Sequence, residues 1–153
     1  MNMTSDPTPD VLLDTETVTR LIDEAFPEIQ ASGRPLVIEA VAPRSARVRL
    51  PFHPHNLRPG GTVSGPAMFT LADFTIYVAV IATLGKAGIP AVTSNLSINF
   101  LLRPDPGDLV AEARLIRVGR RLIYAEVALH ADGRDDIIAH ATSSYAVPSG
   151  PKV

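Results

Sequence analysis

The chain has 153 residues, 46% hydrophobic and 20% charged, with a formal net charge of −2. That length fits one domain with a sizeable core, and the charge gives no general attraction to nucleic acid or to an anionic membrane. The sequence has no cysteine, which excludes disulfides, thiolate metal sites and a cysteine nucleophile and suits a cytoplasmic protein.

The opening MNMTSDPTPD is polar and acidic, unlike a secretory signal. Residues 1–13 read as a loose tail. Asp14 or Thr15 can cap a short helix. Pro27 ends it near Ala25 or Phe26, because a residue before proline avoids helical backbone. Leu21, Ile22, Ala25 and Phe26 share one face of it at helical spacing. Residues 36–42 read as a strand and Pro43-Arg44 as a turn. Residues 45–52 then alternate, with Ala46, Val48, Leu50 and Phe52 on one face, so the two strands form a hairpin.

A glycine-bearing loop over 53–62 leads into an apolar stretch that runs to Leu84. Gly85, Gly88 and Pro90 stop it. Residues 66–84 are nearly long enough to cross a bilayer, but they carry Asp73 in mid-stretch, a costly group in lipid. A helix apolar on every side is otherwise one wrapped by protein.

Residues 91–102 form the clearest strand. Val92, Ser94, Leu96, Ile98 and Phe100 face one way; Thr93, Asn95, Ser97 and Asn99 face the other. A turn at Pro104, Pro106 and Gly107 precedes a strand over 109–118, whose alternation changes phase at Leu115-Ile116, the mark of a bulge. Gly119-Arg120 turns into a strand over 121–130, and Asp132-Gly133 turns into the last one, over 136–146. His130 and His140 fall on outward, solvated positions. Short turns between strands require antiparallel pairing, and only the sheet is large enough to cover the long helix. The expected class is α+β, with a curved antiparallel sheet around one central helix. The expected division is a tail and short helix over 1–35, one domain over 36–147, and a tail over 148–153.

Gly61-Thr62-Val63-Ser64-Gly65-Pro66 followed by Leu71-Ala72-Asp73 resembles a family pattern: an upstream asparagine, a G-x-x-H-G-G loop and a helix carrying L-x-D. Ser97 to Pro104 (SINFLLRP), Gly107-Asp108-Leu109 and Val118-Gly119-Arg120 fit the same family further on. On these motifs the chain resembles the PaaI-like acyl-CoA thioesterases of the hotdog-fold superfamily, over about residues 36–147. It departs from them at Ser64, where the family has histidine, and at Pro66, where it has glycine. Proline suits the first turn of a helix and Ser64 is a good N-cap.

The resemblance implies an acyl-CoA or related thioester as substrate, no cofactor, and subunits paired as dimers or as dimers of dimers. It carries the catalytic carboxylate to Asp73, an orienting amide to Asn56 and a water-positioning hydroxyl to Thr93. The chemistry agrees: thioester hydrolysis needs a group to activate water and donors for an oxyanion. The Gly65 N–H, at a helix N-terminus, is such a donor. Ser64 also faces the expected substrate, and Arg103, Arg120 and Arg121 suit the phosphates of coenzyme A. Gly65 and Asp73 lie eight residues apart, about 12 Å along a helix, so both can act on one carbonyl only from different chains of a two-fold dimer.

Plainer readings stand beside these. In them Asp73 is only a buried structural group held by backbone or Tyr77, and Asn56 only a loop brace. Ser64 suits a cap better than a nucleophile. His53 and His55 flank Pro54 without a carboxylate cluster, so no metal is expected. Two other functions on the same fold are an enoyl-CoA hydratase or dehydratase, disfavoured by Ser64 in the histidine position, and a non-catalytic acyl-CoA-binding protein.

Overall fold

The computed structural model describes residues 13–31 and 35–149. Of the tails expected over 1–13 and 148–153, residues 1–12 and 150–153 lie outside them. Helix α1 is Thr15–Ala25, capped by Asp14, whose side chain accepts from the Thr17 N–H at 2.7 Å. It buries Val18, Leu21 and Ile22. Phe26 leaves that buried face and is 40% exposed: the chain bends there into a second short helix, α2 (Pro27–Ala31), which the sequence reading missed.

Six strands form one antiparallel sheet: β1 (Val37–Ala42), β2 (Ser45–Leu50), β3 (Val92–Phe100), β4 (Leu109–Val118), β5 (Leu122–Ala131) and β6 (Ile137–Ala146). Their spatial order is β1-β2-β4-β5-β6-β3, so β3 lies at an open edge. Helix α3, Gly65–Leu84, fills the concave face. Ser64 caps it, its hydroxyl accepting from the Ala67 N–H at 3.2 Å, a contact that stabilises such a helix by about 1 kcal/mol. Gly85 ends it at φ 63°, with its N–H on the Ile81 carbonyl, the left-handed geometry that glycine adopts without steric cost.

Val78 to Ala82 are buried on consecutive positions, so sheet and neighbouring segments surround this half of α3. That is the hotdog architecture expected from the sequence. The apolar window over residues 65–88 is long enough to cross a membrane by composition, and most of it is buried within this fold. One face of α3 stays open: Pro66, Phe69 and Thr70 are exposed, and Asp73, Phe74 and Tyr77 half-buried. This spacing of three and four residues marks a single stripe along a helix.

Three expectations about side-chain direction change. Phe52 lies beyond the end of β2 and is 46% exposed, not inward. His130 and His140 are half-buried and sit beside Glu112 and Glu126, His140 at 3.3 Å from its carboxylate, rather than solvated. The third change concerns β3. Its register on β6 shifts between Thr93 and Asn95, so Ser94 is the extra residue of a bulge. Thr93 then pairs with Tyr145, Leu96 with Ser143 and Ile98 with Ala141. Directly opposed residues share a face, so Thr93 joins Leu96 and Ile98 on the inner face. The bulge expected in β4 is present, between Leu115 and Arg117.

Candidate active site

Two cavities open beside α3, one at each end of its open stripe. The first, about 590 Å³, lies at the helix N-terminus, among Ser64, Gly65, Phe100, Arg58 and Arg103. A short bridge between Leu57 and Val63 closes the loop before it. Asn56 anchors that loop through its main chain, its carbonyl accepting from the Ser64 N–H at 2.6 Å. The donors of the first helical turn are nearly all accounted for. Pro66 has none, Ala67 donates to the Ser64 hydroxyl and Met68 to the Ser64 carbonyl. Among the described residues no acceptor meets the Gly65 N–H, so it is the donor left for a ligand. A Cβ at Gly65 would stand 3.3 Å from Phe100 Cζ, so the Phe100 ring lies directly over this position.

Arg58 and Arg103 supply the positive charge of this cavity. Gly60, at φ 103°, lets the Arg103 guanidinium cross it: a Cβ there would be 3.1 Å from Nη2. Neither arginine forms an ion pair among the described residues, so both forks remain available to an anion. The sequence reading picked out Arg103 and missed Arg58. Arg120 and Arg121 are exposed on the β4–β5 turn and line neither cavity.

Asp73 lies in the second cavity, about 460 Å³. Its Oδ1 accepts from the Thr93 hydroxyl at 2.6 Å and lies 2.6 Å from the Tyr145 hydroxyl, which is also 2.8 Å from the Asp73 carbonyl. The β3 bulge makes the first contact possible, because it turns Thr93 inward. Tyr145 is 2% exposed. Burial first, and the Asp73 carboxylate second, push its phenol far up, so it keeps its proton and remains a donor at neutral pH. Two hydroxyls thus hold one carboxylate oxygen, and the other, Oδ2, has no partner from these hydroxyls. The sequence reading offered Tyr77 as a structural partner of Asp73. The Tyr77 hydroxyl instead donates to the Ile89 carbonyl at 2.8 Å, and the partner is Tyr145. A signal for it was present: a tyrosine on the inward alternation of a strand, with Ala141 and Ser143, needs a buried acceptor for its hydroxyl.

A family model described as "Thioesterase superfamily" matches residues 60–138, which include Gly65, Asp73 and Thr93. The chain belongs to the thioesterase superfamily. The crystal structure of a candidate thioesterase from a Silicibacter species is 35% identical, with a TM-score of 0.80 over 95% of this chain and 99% of that one. A candidate thioesterase from Ralstonia eutropha, described as phenylacetic acid degradation-related, is 30% identical, with a TM-score of 0.71 over 86% of this chain and 98% of that one. A candidate esterase from Saccharolobus solfataricus is 31% identical over 102 residues, 67% of this chain and 66% of its own length. The match thus spans just under two thirds of that archaeal relative. The PaaI-like thioesterase resemblance and the hotdog fold stand on these matches, which support thioester hydrolysis in the broad sense.

Proposed function

We propose that this protein hydrolyses an acyl-CoA or related thioester to a free acid and a thiol, at a site shared by two copies of the chain. The observation that carries the reading is the arrangement of Asp73: it lines a cavity, and Thr93 and Tyr145 both hold the same one of its two oxygens. In the proposed reaction water attacks the thioester carbonyl and Asp73 takes its proton. The oxyanion rests on the Gly65 N–H of the second copy. The C–S bond then breaks and the proton passes to the leaving thiolate. Asn56 orients the thioester through its amide, Ser64 shapes the loop mouth, and Arg58 and Arg103 hold the phosphates. Arg120 and Arg121 are proposed to flank the same substrate from the turn at the far end of the sheet. We place the protein in the cytoplasm, where its lack of cysteine is no handicap.

The edge strand supports the pairing. β3 offers nine residues with an unpaired side, and Val92, Phe100, Leu101 and Leu102 are each at least 50% exposed. Such an edge is usually blunted or covered. Antiparallel pairing of two β3 strands about a two-fold near Leu96 and Ser97 sets Thr93 of one copy across from Phe100 of the other. Thr93 sits on Asp73 and Phe100 sits on Gly65, so this pairing brings the two cavities face to face. A dimer of dimers keeps the same site.

The clamp is testable directly. Replacing Tyr145 by Phe removes one hydrogen bond to a charged group, worth about 1.5–3 kcal/mol, and leaves the ring packed. We expect kcat to fall roughly tenfold to a hundredfold with KM little changed, read as free thiol released from an acyl-CoA. An equal rise in KM with kcat intact would make Tyr145 a packing residue. The same assay with crotonyl-CoA separates thiol release from hydration of the double bond, and an enzyme that only hydrates would overturn the hydrolase reading.

A further inference from the structure

The cavity beside Asp73 is polar at one side only. Among the described residues Asp73 is the one charged residue that lines it; much of the rest is contributed by Ile22, Phe26, Phe69, Phe74 and Tyr77. Its volume, about 460 Å³, is that of a small-molecule site. An acyl chain ending in a carboxylate would bury that charge here without a partner. Tyr77 lies one helical turn beyond Asp73, about 6 Å along the axis. It is a fixed wall, because its hydroxyl is tied to the Ile89 carbonyl. The Phe26 ring meets the Tyr77 ring edge-on, with centroids 6.0 Å apart and planes at 74°. Phe26 is the residue between α1 and α2, with φ −133° and ψ 74°, and it is 40% exposed. Core packing from α1 therefore does not hold this ring; it lies at the cavity's outer limit.

Resting on the thioesterase reading of Asp73, we propose that this cavity takes the uncharged acyl chain of the thioester and that Phe26 sets the longest chain admitted. The carbonyl lies at Asp73 and the chain runs along α3 to the Phe26–Tyr77 pair. A methylene gained or lost in an apolar pocket changes kcat/KM by roughly tenfold or more, so the side chain at this position should shift the preferred length.

The test is kcat/KM for straight-chain acyl-CoA thioesters from butyryl to palmitoyl, in wild type, Phe26→Ala and Phe26→Trp. Phe26→Ala is expected to move the optimum to longer chains, with roughly tenfold or greater gains beyond the wild-type limit; Phe26→Trp is expected to move it to shorter ones. An unchanged length ranking in both active variants overturns the assignment of Phe26. If the wild type releases no thiol from any thioester, the hydrolase reading fails, and the pocket is then judged by binding. The chain has no tryptophan, so the indole introduced by Phe26→Trp is the sole tryptophan, placed at the cavity wall and excited selectively at wavelengths where tyrosine does not absorb. Its emission, titrated with non-hydrolysable acyl-CoA thioethers of increasing length, should respond up to a length limit; no response would refute the pocket. Thermal melting checks the fold of each variant, and Phe26→Leu takes the place of alanine if that variant melts early.

Discussion

Asp73→Asn should lower kcat for thioester hydrolysis by about a thousandfold, within the range general acid–base groups contribute, and leave the protein folded and associated. Asparagine keeps the shape of the side chain, and its carbonyl oxygen can still accept from Thr93 and Tyr145. It lacks the basic oxygen that takes a proton from water. Free-thiol release measures the loss, and thermal melting with sedimentation measures fold and assembly. Asp73→Ala removes the clamp as well, so its loss should be at least as large. Asp73 is half-buried on the open stripe of α3, and in either variant the Tyr145 hydroxyl keeps an acceptor in the main-chain carbonyl of residue 73 at 2.8 Å, so unfolding is not expected. Full activity in either variant would exclude Asp73 from the chemistry.

Gly65→Pro should cost about a hundredfold to a thousandfold in kcat, as removal of an oxyanion donor does elsewhere. Proline deletes the one first-turn N–H that meets no acceptor among the described residues, and it suits the start of a helix. Ser64, at φ −71° and ψ 152°, already has the extended backbone that a residue before proline prefers. Gly65→Ala is the control. It keeps the N–H, and its Cβ would press on the Phe100 ring at 3.3 Å, a ring 52% exposed and free to move by a few tenths of an ångström. A large loss with proline and a small one with alanine assigns the effect to the N–H. Equal losses would assign it to crowding of the mouth.

Much of this frame could be read from the sequence because its signals are local. Ser64 and Gly85 bracket α3, and an apolar stretch around a single aspartate requires a sheet that surrounds it. The β4 bulge was legible because apolar Leu115 and Ile116 break the alternation side by side. The β3 bulge was not: Thr93, Ser94 and Asn95 are all polar, so sliding the pattern by one residue changes nothing visible. That slip decides whether Thr93 reaches Asp73. Tyr145 joins Asp73 from 72 positions away, and Phe26 meets Tyr77 only after the chain bends between α1 and α2. Contacts of this kind depend on how elements pack, which spacing along one element does not encode.

The pairing of Gly65 with Asp73 across two copies is tested most directly by mixed dimers. The Asp73→Asn and Gly65→Pro chains, each carrying a different affinity tag, are co-expressed, and dimers holding one of each are purified through both tags. In the shared arrangement one of the two sites joins an intact Asp73 to an intact Gly65, and the other joins both defects. Two-fold symmetry then predicts about half the wild-type turnover per dimer, from two nearly inactive parents. If both groups act within one chain, no chain carries a complete pair, and mixed dimers as inactive as their parents would contradict the shared site.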